Sequence, residues 1–119
     1  MPNVIERATI QALAVIKAKT GVPVTYRRNA DSLALTAIHG TTRATNETSN
    51  GTRIRTDSTD YLIDAVELDF GFGPVEPAIG DVITDGDREF EVVSLIGGEP
   101  PWTWHDPYHI RLRIHVVET

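Results

Sequence analysis

The spacing of apolar residues changes once along this chain. Up to residue 20 it is helical: Val4, Ile5, Ala8, Ala12, Val15 and Ile16 fall on one face, with Glu6, Arg7 and Lys17 away from it. Ile10 and Leu13 widen the apolar surface, so the helix is expected to touch more than one neighbour. Asn3 and Glu6 have the spacing of a capping box. Lys17 and Lys19 sit where the helix dipole favours cations. Gly21 suits the C′ position and Pro23 blocks continuation, so the helix is expected over residues 3–20.

Beyond Gly21 the spacing is that of strands. Val24, Tyr26 and Arg28 alternate with Thr25 and Arg27. After a turn at Asn29, Ala30 and Asp31, the residues Leu33, Leu35 and Ala37 alternate with Ala34, Thr36 and Ile38, and the two runs are expected to pair as a hairpin. Residues 61–68 read as a strand with Leu62, Val66 and Leu68 on one face. A connection rich in Gly and Pro follows. Gly80-Asp81 then leads into Val82 and Ile83, Asp85-Gly86 signals a hairpin turn, and Phe90 and Val92 resume the alternation. In the last strand Ile110, Leu112, Ile114 and Val116 form the expected core face. Arg111, Arg113, His115 and Val117 form a face expected to be exposed or at an interface. These elements predict a mainly β (α+β) chain with a single domain over 1–119. The β core covers 22–39 and 60–119, as a small β-barrel or sandwich with one N-terminal helix.

Residues 40–59 interrupt that core. Thr, Ser, Asn, Arg and Gly dominate, and Ile54 is the one large aliphatic side chain. Such a stretch cannot supply a core, and long connections in compact domains tend to be functional. A polar loop or projecting hairpin is expected, with Thr41, Arg43, Asn46, Glu47, Asn50, Arg53, Arg55 and Asp57 as candidate contact residues. Two glycosylation-type sequons, at 46–48 and 50–52, read as loop residues.

Composition narrows the function. With 40% apolar and 24% charged residues the chain is expected to fold as a globule. A net charge of -6 repels a polyanion on average, although Arg53 with Arg55 could touch a phosphate. There are no cysteines, hence no disulfide, cysteine metal site or thiol chemistry. No apolar run approaches the roughly 20 residues of a membrane helix, and no signal peptide is evident. No membrane contact is expected.

Candidate chemistry is thin. His105, Asp106 and His109 lie close together, but zinc needs three or four ligands in a fixed geometry, and they read as turn residues before the last strand. His39 and His115 stand alone. Asp81, Asp85 and Asp87 miss the calcium-loop spacing and read as a turn with solvated acids. Ser32, Ser49, Ser58 and Ser94 lack a nucleophile context. Gly71-Phe72-Gly73 is no phosphate loop. No catalytic residue, metal or cofactor is expected. Trp102 and Trp104 share a face of an extended chain and, with Tyr108, are candidate interface aromatics or a stacking platform for a small ligand or carbohydrate.

The run Pro77-Ala78-Ile79-Gly80-Asp81-Val82-Ile83, then Asp85-Gly86 and Glu89-Phe90-Glu91-Val92, resembles head–tail joining or head-completion proteins (stoppers and connectors) of long-tailed bacteriophages and prophages. The segment Trp102-Thr103-Trp104-His105-Asp106-Pro107-Tyr108, followed by Ile114-His115, is similar to endings of prophage members, and Asp60-Tyr61-Leu62-Ile63-Asp64 suits the family too. The resemblance implies a structural, non-enzymatic virion protein of the neck, assembled in the bacterial host cytoplasm. It implies a homo-oligomeric ring, hexamer or dodecamer, against portal or adaptor and tail proteins. DNA would pass through it without sequence-specific binding, and the 41–59 segment would face the lumen or a neighbouring ring. A tail terminator or tail-completion ring, and a small ligand-binding β domain, are the alternatives.

Overall fold

A computed structural model describes residues 4–47, 51, 53–95 and 97–119, with the side chains of 18, 43–47 and 53–58 left aside. Helix α1 (Val4–Thr20) precedes seven strands: β1 (Val22–Arg28), β2 (Asp31–Glu47), β3 (Arg53–Asp64), β4 (Val82–Asp85), β5 (Arg88–Val92), β6 (Trp102–Trp104) and β7 (Arg111–Glu118). All pairings are antiparallel. The order β3-β2-β1-β4-β5-β7 closes on itself because β7 also pairs with β3, giving a six-stranded barrel with β6 added along β7. Closure removes the unpaired edges that an open sheet would leave.

Alternation sets the interior. Val24 and Tyr26 of β1 stand opposite Leu35 and Leu33 of β2, and Tyr61 and Ile63 of β3 oppose Ile114 and Leu112 of β7. Val24, Tyr26, Tyr61, Ile63, Leu112 and Ile114 form one buried cluster with Ile83, Phe90, Val92, Val116 and Leu68, and the half-buried Leu33 and Leu35 pack against it. Tyr61 meets Phe90 edge to face at 5.3 Å between ring centres.

Three details depart from the sequence reading. The strand expected over 61–68 stops at Asp64, and a 3-10 turn (Ala65–Glu67) follows; Val66 is exposed, while Leu62 and Leu68 are buried on opposite sides of the barrel wall. The β4–β5 loop is Gly86-Asp87, closed by the pair Asp85↔Arg88, so Gly86 is the first turn residue and takes φ 64°. That placement fits a turn of the II′ kind, which matches strand twist. Gly21 is not left-handed: a Cβ there would lie 2.4 Å from the Lys17 carbonyl oxygen and 2.6 Å from Thr36, so glycine is needed for close approach. Asn3, the expected cap, lies outside the described residues.

The largest departure concerns α1. The stripe read as its core face, Val4, Ile5, Ala8, Ala12, Val15 and Ile16, is exposed. Among the described side chains of the helix, Leu13 alone is buried. The helix lies against β2, on the outside of the wall where the cross-strand neighbours Ile38 and Leu62 are buried.

Candidate interaction surfaces

Three features project from the barrel, and each is braced by an acid: Asp60 and Asp81, which are buried, and Asp64, which is half-buried. The first is an arm. β2 pairs with β1 only up to Ala37, then with β3 from Ile38 to Glu47, and β3 reaches β7 only from Thr59. The stretch 43–47 with 53–57 is therefore a two-stranded ribbon, with no third strand beside it among the described residues. Its register sets Arg43 opposite Asp57, Thr45 opposite Arg55, Asn46 opposite Ile54 and Glu47 opposite Arg53, while Asn50 lies outside the described residues. The molecule measures 50 × 37 × 27 Å with a radius of gyration of 15.4 Å, against about 13.5 Å for a compact domain of this length.

Asp60 stands at the root of the arm and is fully buried. It accepts hydrogen bonds from Arg113 Nη1 at 2.9 Å and from the Thr42 hydroxyl, and pairs with His115 Nδ1 at 2.9 Å. Arg113 Nη1 also donates to the Thr41 carbonyl at 3.2 Å. Gly40 leaves room for that guanidinium, since a Cβ there would come within 3.0 Å of it. The polar side of β7, expected to face solvent or a partner, is thus largely buried: His115 by Asp60 and Arg111 by the helix. A buried carboxylate of this kind needs paired partners to offset its lost hydration.

The second feature is α1, which is held by ions. Arg111, 2% exposed, donates from Nε to Asp64 at 2.8 Å and from Nη2 to the Leu13 carbonyl at 3.1 Å. Lys17 Nζ reaches Asp64 at 3.0 Å and Glu67 at 2.7 Å. Burial pushes the Asp64 carboxyl up, but the hydrogen bonds from Arg111 and Lys17 outweigh it and hold its pKa below the usual value. Burial likewise lowers Lys17, and its bonds to Glu67 and Asp64 more than reverse the effect. A groove of about 530 Å³ runs between helix and barrel, lined by Ile10, Leu13, Ala14, Lys17, Ile110 and Arg111 among others.

The third feature is the 65–81 connection. Asp81 is not the solvated turn acid the sequence suggested. It is buried, accepts from Arg28 Nη2 at 2.8 Å, from the Tyr26 hydroxyl and from the Ala78 N–H at 3.0 Å. Burial raises its pKa, and these bonds together bring it below the ordinary range. Asp85 is likewise engaged, accepting from the Tyr61 hydroxyl at 2.8 Å and lying 3.2 Å from His39 Nε2. Arg28 also donates to the Glu76 carbonyl at 2.7 Å, so one guanidinium ties the connection to β1. At its tip Asp69 Oδ1 accepts from Gly71 N–H at 2.7 Å and Gly73 N–H at 3.1 Å, and the two glycines take φ 117° and 103°. This closed turn presents Phe72, 78% exposed.

The aromatic loop is partly structural. Trp102 packs on the barrel core and meets Trp104 edge-on at 5.2 Å; Trp104 stacks on His109 at 4.4 Å. Tyr108 is half-buried. Asp106 accepts the backbone N–H groups of Tyr108, Ile110 and Arg111, which shapes the turn into β7. His105 faces Arg113 Nη2 at 3.2 Å, and burial together with that cation depresses its pKa. Among the described residues no group of three metal-ligating side chains converges, and no helix is long and apolar enough to cross a membrane.

Fold and surfaces together define a small closed β-barrel from which an arm, a helix and a loop project, each braced from inside: a shape made for contact with other macromolecules. The chain belongs to the phage head–tail joining protein family, which it matches over residues 2–119, nearly its whole length. No curated protein matches it. The family is structural, so the protein is a component of the virion neck, where phage head and tail proteins meet.

Proposed function

We propose that the protein forms a homo-oligomeric ring around the DNA channel, between the portal or adaptor on the head side and the first tail protein. The observation that supports it most is the arm, a β-ribbon that runs out from a closed barrel beyond the strands that pair with it. An element of this kind contributes little to the fold and is suited to reach a neighbour or the lumen. Thr41, Arg43, Asn46, Glu47, Asn50, Arg53, Arg55 and Asp57 are its contact residues in this reading, and Trp102, Trp104 and Tyr108 contact a head or tail protein. The net charge of -6 suits a channel wall along which DNA slides without sticking.

The test is reconstitution. DNA-filled heads lacking this protein are incubated with the purified chain and then with tails. The intact chain should restore tail joining. A chain in which Thr42 is linked to Ser58 by a two-residue turn should still bind heads but fail to retain DNA or accept tails. Full joining by the armless chain would contradict the role given to the arm.

A further inference from the structure

We infer that the cavity between the root of the arm and β6 receives one arginine side chain of the head or tail protein that the aromatic loop contacts, an inference that rests on the reading above. The cavity measures about 210 Å³, and its described walls include Thr42, Leu95, Glu99, Trp102, Thr103 and His115. Small-molecule sites run from roughly 300 Å³ upward, so this one suits a single side chain. Its frame is fixed. The His115 N–H donates to the Pro101 carbonyl at 2.9 Å, and the Ser94 hydroxyl donates to the Glu99 carbonyl at 2.8 Å.

The wall is rich in acceptors. His115, 5% exposed, pairs through Nδ1 with Asp60 at 2.9 Å. A carboxylate only accepts, and Arg113 at 2.9 Å already answers its charge, so the neutral imidazole carries its proton on Nδ1. Nε2 is then an acceptor, and it makes no hydrogen bond among the described residues. A polar atom of a nearly buried residue calls for a partner. The Thr42 hydroxyl gives its hydrogen to Asp60, which leaves its oxygen free to accept. Glu99 adds an exposed carboxylate. The donors among these side chains are the Thr103 hydroxyl and the Trp102 indole N–H.

Acceptors beside an indole fit a cation that is flat and rich in donors. A guanidinium has five N–H donors in one plane and stacks on aromatic rings, whereas an ammonium has three and no flat face. Cation–π attraction to Trp102 adds to the charge of Glu99, and a net charge of -6 favours the approach of a basic group. The cavity is continuous with the surface given above to a head or tail protein. Trp102, in its wall, meets Trp104 at 5.2 Å, and Trp104 stacks on His109. Thr42, also in its wall, belongs to the root of the arm, so a seated arginine touches arm and aromatic strand at once.

The probe is N-acetyl-arginine amide, and the control is its citrulline counterpart, of the same shape without the charge. Each is titrated into the full chain and followed by the imidazole nitrogen signals of His115. The arginine probe should shift Nε2 saturably and bind about tenfold more tightly than the control. Glu99→Gln, at an exposed position, should weaken it about threefold to fivefold at an unchanged melting temperature. Equal binding of the two probes, no shift, or a proton on both nitrogens of the free imidazole would overturn the inference and leave the cavity to water. Thr103→Arg, also exposed, places a guanidinium of the chain's own at the cavity. It should lower head binding or tail joining at least tenfold while native mass is unchanged. Normal joining by that variant would overturn the assignment to a partner's arginine, and loss of self-assembly would move the arginine to a second copy and overturn it too. An intact chain that neither assembles nor joins heads to tails would remove the neck reading, and the probe titration would still decide whether the cavity takes a guanidinium.

Discussion

The barrel and the helix are held by opposite means. Inside the barrel, Tyr26, Ile63, Ile83, Phe90, Leu112 and Ile114 exclude water and each other's neighbours are apolar. Among the described side chains of α1 one leucine is buried, and the attachment is made by Arg111 and Lys17 on Asp64 and Glu67. Apolar packing is non-directional and tolerates small shifts. Charge-assisted hydrogen bonds fix an orientation, because their strength depends on distance and angle. The difference teaches why a 17-residue helix can leave most of its apolar surface outside: ions, not that surface, place it.

The largest effect should come from the barrel side. Leu112→Ala removes a core side chain facing Ile63 and should cost about 2–5 kcal/mol, read by denaturant unfolding of the whole chain. A loss under about 1 kcal/mol would mean that this face of β7 is not the core. Arg111→Met sharpens the contrast. It should cost about 1.5–3 kcal/mol, the range for hydrogen bonds to charged groups, with amide exchange rising in α1 far more than in β4 or β7. Equal rises in helix and barrel would show that the two are not separately held.

Acid should separate them as well. The carboxyls of Asp64 and Asp81 titrate below their unfolded values, so the stability they add is complete above about pH 4 and is lost as pH falls further. His105, also depressed, adds a smaller loss that begins below about pH 6.5. Melting temperature should therefore drift slightly between pH 7 and 5 and drop below about 4, with α1 losing exchange protection first. A barrel that opens before the helix loosens would break the comparison. Lys17→Met is expected to be the mildest change, under about 1 kcal/mol, because the ammonium is partly solvated and Arg111 still holds Asp64.

The barrel was legible because a period of two names both an inward face and its register. Tyr26, Ile83, Phe90 and Ile114 needed no information beyond their own strands. The helix was legible as a helix, but its apolar stripe says only that something covers it, not what. Gly21 looked like a cap because a cap and a close approach both demand glycine, and only the position of Thr36 separates them. Asp81 and Asp60 carried no local sign of burial: their partners Tyr26 and His115 each lie 55 residues away along the chain. The arm was legible in composition, since a stretch with one large aliphatic residue has nothing to pack. Its pairing follows from β2 running on beyond β1, and register of that kind is set by the barrel.

Native mass of the full chain across concentration, free and on heads, tests the account most directly. The account predicts closed multiples of 13.1 kDa. A 13.1 kDa species under every condition would contradict it.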